Sequence, residues 1–239
     1  MTATYFISDL HLDPTRPDIL ARFGQFLNNI RHDANGLYIL GDFVEYWIGD
    51  DDTEHGLDVS FEELKQFAGK VPTYLMHGNR DFLIGQDFVT RYQLTLLPDP
   101  TIINLYGQNT LLMHGDLLCT DDIKYQEFRK MVRNPNWQTE VLNKSLAERR
   151  ALVEQLRAIS KKETSGKAED IMDVNNAAVT NALIQHNTAQ LIHGHTHRAK
   201  IHNMNLPNMT ATRIVLPDWY TSGGYLRVDA SNGAVLHSL

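Results

Sequence analysis

Five times along the chain, a short apolar, β-branched or aromatic run stops at a polar cluster of Asp, Asn, His and Gly. Residues 4–7 lead into Asp9-Leu10-His11, residues 37–40 into Gly41-Asp42, and residues 73–76 into Gly78-Asn79-Arg80-Asp81. Residues 110–113 then lead into His114-Gly115-Asp116, and residues 190–192 into His193-Gly194-His195-Thr196-His197. Runs of this length and make-up predict buried strands. Between the early ones, Ile19, Leu20, Phe23, Phe26, Leu27 and Ile30 recur at helical spacing, and Asn35-Gly36 closes the segment. Alternating strand and helix puts the chain in the α/β class, with helices on the sheet faces. In open α/β sheets the site lies beyond the carboxyl ends of the strands, so the five clusters are expected to converge. Extended backbone would turn Asp9 with His11, and His195 with His197, to a common side.

The converging side chains are rich in hard and borderline donors: Asp9, His11, Asp42, Asn79, His114, His195 and His197. This set contains no sulfur and suits Mn, Zn or Fe better than Ca. Seven ligands exceed what one tetrahedral ion needs, but with one shared carboxylate they can serve two ions. Two ions about 3.5–4 Å apart can activate a water and neutralise a phosphoryl group, the logic of dinuclear phosphatases and nucleases. His77, His186 and His202, each without such company, read as ordinary hydrogen-bonding residues. The one cysteine, Cys119, has no partner for a disulfide and reads as a small buried hydrophobe.

A net charge of -7 argues against a nucleic-acid partner. No apolar run approaches the roughly 20 residues of a membrane-spanning helix, and the first residues lack a leader pattern, so a cytoplasmic location is expected. The length of 239 residues fits one domain, spanning 1–239, with an insertion. That insertion is expected at about 121–187, where the pattern turns almost wholly helical. One face there carries Tyr125, Phe128, Met131 and Val132; another carries Leu146, Leu152, Val153, Leu156 and Ile159. Ser165-Gly166 reads as a loop. Within residues 121–170 Lys and Arg number 11 against 9 acids, while the rest of the chain has 11 against 20. A basic, apolar cap over an acidic body therefore suggests a substrate with both phosphate and acyl chains, because Lys and Arg can bury their stems while pairing with phosphate.

The series D-x-H, G-D, G-N-x-D, H-G and G-H-x-H resembles the calcineurin-like metallophosphoesterases. The resemblance implies two stacked mixed β-sheets flanked by helices. It also implies two divalent ions, one held by Asp9, His11, Asp42 and His197 and the other by Asp42, Asn79, His114 and His195, with Asp42 as the bridge. Many members have a histidine where this chain has Arg80. An arginine stays charged far above neutral pH and cannot be a general acid, but its fork matches phosphate oxygens. The leaving group should then depart as a stabilised anion, as a phosphate monoester does from a pyrophosphate.

Gly78-Asn79-Arg80-Asp81, the position of the cap and Asp218-Trp219 together resemble the lipid A branch of that family, which hydrolyses UDP-2,3-diacylglucosamine. By resemblance, water would attack the uridine-side phosphorus with Mn as cofactor, releasing UMP and 2,3-diacylglucosamine 1-phosphate. Asp42, Asn79, Arg80 and His195 would serve catalysis, and Asn79, Arg80, Asp122, Ser160, Thr164, Lys167 and His195 would contact substrate. Thr164 stands where a carboxamide is expected. The resemblance further implies a monomer attached peripherally to lipid at the cytoplasmic face of the bacterial inner membrane. The rival expectations are a general metallophosphoesterase acting on nucleotides or dinucleoside polyphosphates, and a metal-dependent scaffold without catalysis.

Overall fold

The computed structural model describes residues 2–164, 173–207 and 209–239, without the side chains of residues 160–164. The first of two mixed sheets contains β1 (Ala3–Ile7), β2 (Ala34–Leu40), β3 (Thr73–Met76) and β4 (Thr95–Leu97), all parallel. It is extended on the β1 side by β10 (Gly224–Asp229) and β11 (Gly233–Ser238), each antiparallel to its neighbour. The second sheet is built from β5 (Thr101–Leu105), β6 (Gln108–Met113), β7 (Gln190–His193), β8 (Lys200–Leu206) and β9 (Met209–Val215), in the order β5-β6-β7-β9-β8. Its central strands β6, β7 and β9 run parallel, and its two outer strands are antiparallel.

The strand period of two sorts side chains between layers. Phe6, Leu40 and Met76 face inward to meet Leu112, Ile192 and Ile214 of the second sheet. Phe6 stacks on Tyr38 at 5.0 Å, and Tyr38 on Tyr74 at 4.5 Å, forming an aromatic ladder across three parallel strands. Tyr5, Ile7, Leu37 and Ile39 face the other way, into a larger core with the helices α1 (Pro17–Ile30), α2 (Asp58–Ala68) and α3 (Gln86–Arg91). α1 starts with proline at its first position, where no amide partner is lost, and buries Ile19, Phe23, Phe26, Leu27 and Ile30, while Leu20 is partly buried.

Three helices, α4 (Ile123–Val132), α5 (Pro135–Leu142) and α6 (Leu146–Thr164), form the cap. α7 (Asn176–Gln185) also falls in the stretch predicted as cap, but it packs Val179 and Leu183 with Leu111 and Leu191 on the outer face of the second sheet. The charge split between cap and body has a structural use. Arg149, 5% exposed, donates to both oxygens of Asp51 at 2.6 and 2.8 Å and to the carbonyls of Ile48, Leu142 and Lys144. Arg150 pairs with Asp52, Arg157 with Glu45 and Arg129 with Asp116, and Arg133 donates to the carbonyl of Gly78. Five cap arginines thus bind the cap to the body.

Candidate metal centre

Every predicted ligand sits just past a strand end, and at five of the seven the backbone is left-handed rather than extended. Asp9, His11, Asp42, His195 and His197 have φ of 55°, 49°, 50°, 70° and 55°. The expected alternation of residues two apart is therefore replaced by left-handed turns that fold each side chain back over the end of the sandwich. Each such turn costs about 1–2 kcal/mol in a non-glycine residue, and local bonds hold them in place. The Asp9 amide donates to the Gly41 carbonyl at 3.0 Å, its carbonyl accepts from the Trp219 amide at 3.1 Å, and the His11 amide donates to the Asp42 carbonyl at 2.9 Å. Gly41, at φ +89°, admits this approach because a Cβ would come within 2.5 Å of His114 Nδ1 and 2.6 Å of the Gly78 backbone.

The residues scattered in sequence converge. Ligand atoms of Asp9, His11 and His197 lie within 4.8 Å of one another, as do those of Asp9, Asp42 and His114. The two oxygens of Asp42 face opposite groups, Oδ2 toward His11 Nε2 at 3.6 Å and Oδ1 toward His114 Nε2 at 3.9 Å. His114 Nε2 is also 3.1 Å from Asn79 Oδ1, and the His195 ring lies 5.0 Å from that of His114. Asp9 Oδ2 accepts from Ser8 Oγ at 2.6 Å and from the His195 amide at 2.9 Å. By contrast, Asp9 Oδ1 and His11 Nε2 are buried and, among the described residues, have no hydrogen-bond partner. Orphaned buried polar atoms are costly. Placed beside carboxylates and imidazoles, these atoms fit divalent ions.

Electrostatics agree with that fit. Burial would raise the Asp9 pKa, but His197, with Nε2 3.4 Å from Oδ1, and the charges of His114 and His11 hold it below the usual carboxylate range. For His114, burial is opposed by Asp42, Asp116 and Asp9, which push it up to about 9. His195 is pushed down to about 4, first by burial and then by the charge of His114. A divalent ion would displace the proton that the carboxylates otherwise hold on His114.

A cavity of about 460 Å³ opens beside this cluster, and its wall includes Asn79, Arg80, Asp122, Tyr125, Leu156 and Arg157. Phe128, Met131, Leu152, Val153 and Ile159, from the two predicted apolar stripes, line it as well. The Arg80 amide donates to Asp42 Oδ1 at 2.8 Å, while its Nε is buried without a hydrogen-bond partner among the described residues. Asp122 caps α4, accepting from the Tyr125 amide at 3.1 Å, and also borders the cavity. Of the other expected substrate contacts, the side chains of Ser160 and Thr164, and Lys167 altogether, lie outside the described residues. His77 bonds to the Ile84 carbonyl, His202 to Arg213, and His186 ends α7.

Three neighbours of the cluster escaped the reading of the sequence. Glu45 lies 2.9 Å from His11 Nδ1 and also 2.9 Å from Arg157 Nη2, linking the cap to a predicted ligand histidine. Tyr220 stacks on the His11 ring at 4.9 Å. Asp116 accepts from Tyr125 Oη at 2.6 Å and Arg129 Nε at 2.7 Å, fixing α4 against the site. Only Asp116 carried a signal, as the last residue of the His114-Gly115-Asp116 cluster.

Comparison with known proteins agrees with this picture. A family model described as calcineurin-like phosphoesterase matches residues 3–199. A UDP-2,3-diacylglucosamine hydrolase of Stenotrophomonas maltophilia (strain R551-3) is 46% identical over 99% of this chain and 98% of its own length. One of Xanthomonas axonopodis pv. citri (strain 306) is 47% identical with the same coverage. Among solved structures, an archaeal phosphodiesterase superposes with a TM-score of 0.53 at 10% identity over the whole of both chains, a likeness of fold.

Proposed function

The chain belongs to the calcineurin-like phosphoesterase family, and on that premise we propose that it hydrolyses the pyrophosphate bond of UDP-2,3-diacylglucosamine to UMP and 2,3-diacylglucosamine 1-phosphate. One observation carries the reading: a large cavity walled by apolar cap side chains reaches Asn79 and Arg80 at the edge of the ligand cluster. Acyl chains suit Phe128, Leu152, Val153, Leu156 and Ile159, while the phosphate end suits the polar margin.

Asp9, His11, Asp42 and His197 would hold one divalent ion, and Asp42, Asn79, His114 and His195 the other, with Mn as the assigned metal. When bound, the ions supply Lewis acidity toward phosphoryl oxygens and acidify the attacking water. The protein's own part is positioning. Asp42 anchors the Arg80 backbone, so the guanidinium is carried to the border between cluster and cavity, where it can pair with the phosphate of the departing lipid. Asp122, which lines the cavity, would contact the substrate, with Ser160, Thr164 and Lys167 assigned to the same substrate. No proton donor is required at position 80, because the leaving phosphate departs as an anion.

No helix among the described residues is long and apolar enough to cross a membrane. Ile123, Met131 and Ile159 of the cap are 68%, 45% and 59% exposed, and Met131 and Ile159 also line the cavity. These exposed side chains support peripheral attachment to the inner-membrane surface with the cavity mouth toward lipid, and the protein is assigned as a monomer. The test is to compare kcat/KM for UDP-2,3-diacylglucosamine with that for unacylated UDP-sugars in Mn. A strong preference for the acylated substrate is expected; equal rates, or faster cleavage of dinucleoside polyphosphates, would overturn the assignment.

A further inference from the structure

A second cavity, of about 130 Å³, borders the ligand histidine His11 directly and is lined by Asp13, Arg16, Glu45, Arg157 and Tyr220. Glu45 and Arg157 line the large cavity too, so their ion pair forms a shared wall between the two. A substrate joined through a pyrophosphate has two ends, and the large apolar cavity suits only one of them. If the reacting phosphorus sits at the ligand cluster, the other end must leave by a route that the acyl chains do not fill. The small cavity offers that route. It is well under the several hundred Å³ of a site for a whole small-molecule ligand, and its size suits a single ring.

The lining matches a pyrimidine. Tyr220 is 41% exposed, its ring stacks on His11, and its backbone is held in place by its neighbours. Trp219 is fully buried, donates from Nε1 to the Gly224 carbonyl at 3.0 Å and from its amide to Asp9, while the Tyr220 amide donates to Asp218 Oδ1 at 3.0 Å. The Asp218-Trp219 motif thus presents an aromatic ring beside His11. Arg16 donates from Nη2 to the Tyr220 carbonyl at 3.0 Å and pairs with Asp18. Asp13 Oδ1 accepts from the amide and hydroxyl of Thr15, at 2.8 and 2.6 Å. Uracil offers a carbonyl on either side of an N–H along its pairing edge. An arginine donor and a carboxylate acceptor complement that edge, whereas cytosine presents a bare nitrogen where uracil has the N–H.

Resting on the pyrophosphate reading, we infer that this cavity is the base subsite for the pyrimidine nucleotide half of the substrate. Tyr220 stacks on the ring, Asp13 accepts from the ring N–H, and Arg16 donates to a ring carbonyl.

The test measures binding of UMP and CMP by calorimetry to the metal-loaded protein, with metal content determined in each variant. UMP should bind roughly tenfold more tightly than CMP, the scale of one hydrogen bond whose loss leaves a carboxylate unpartnered. Tyr220→Ala should weaken UMP about tenfold, the scale of one base–aromatic stack, and Tyr220→Phe should not. Asp13→Asn should abolish the preference for UMP over CMP, because a carboxamide can serve either base. Affinity for 2,3-diacylglucosamine 1-phosphate should stay unchanged throughout. Equal affinities for UMP and CMP, or UMP affinity indifferent to Tyr220→Ala at unchanged metal content, would overturn the subsite. Hydrolysis of UDP-2,3-diacylglucosamine by the unaltered protein reports on the underlying reading separately: turnover with nucleotide binding blind to these variants removes the subsite alone.

Discussion

Replacing Arg80 by Ala separates the work of its side chain from the work of its backbone. The backbone N–H donates to Asp42 Oδ1 at 2.8 Å and survives the substitution, so both metals should stay bound. What is lost is the guanidinium at the rim of the large cavity, whose Nε has no hydrogen-bond partner among the described residues and is free to serve substrate. A preorganised group that stabilises charge in the transition state contributes about 2.7–4 kcal/mol, so kcat should fall on the order of 10²–10³-fold. With no stabilising bond removed from the folded protein, stability should shift by about 0.5 kcal/mol or less. Arg80→His adds a proton donor but loses the bidentate fork, and should stay poor on the acylated pyrophosphate while gaining on phosphodiesters with worse leaving groups. Steady-state kinetics on both substrates, with metal analysis of each preparation, decide the matter. Full pyrophosphatase activity in Arg80→His would refute the argument from position 80 to the leaving group, and loss of metal in Arg80→Ala would refute the separation of roles.

Asp42→Ala should lower bound metal and turnover more than removal of any single ligand histidine, because its two oxygens face the His11 and His114 sides of the cluster; metal analysis checks this, and equal mild losses would count against a shared carboxylate. Arg149→Ala should destabilise the protein by about 2–4 kcal/mol, since three carbonyls lose a charge-assisted donor while the 59% exposed Asp51 side chain is taken over by water. That corresponds to a fall in Tm of roughly 5–15 °C, read from thermal unfolding. Burial, followed by the charge of Asp116, pushes the Cys119 thiol up to about 12, so the unreactive thiol form should dominate at pH 8. Alkylation of Cys119 should therefore require unfolding. Ile159→Asp should reduce co-sedimentation with anionic vesicles severalfold, since it puts a charge on an exposed apolar residue at the cavity wall.

The strands that carry the site were legible because β1, β2, β3, β6 and β7 have short apolar runs ending in unmistakable donors, and parallel strands bring their carboxyl ends together. The turn geometry was not. β1 ends at Ile7, so Asp9 and His11 lie beyond the reach of strand alternation, and their left-handed backbone is set by bonds to Gly41, Asp42 and Trp219. The apolar stripes of the cap were visible as periodicity, but periodicity does not say which layer a helix joins; α7 packs on the second sheet while α6 lines the cavity. Nor does a charge count assign partners. The excess of basic residues in the cap suggested phosphate, whereas Arg129, Arg149 and Arg150 bind body carboxylates and Arg133 a backbone carbonyl. Glu45 and Arg157 meet across 112 positions of sequence, a pairing no local pattern encodes.

The most direct test of the central claim is to hydrolyse UDP-2,3-diacylglucosamine in heavy-oxygen water and weigh both products. Attack on the nucleotide-side phosphorus, with Arg80 stabilising a departing lipid phosphate, predicts one heavy oxygen in UMP and none in 2,3-diacylglucosamine 1-phosphate. Label in the lipid phosphate would mean that the other phosphorus is attacked, and would contradict the assignment of Arg80 to the leaving group.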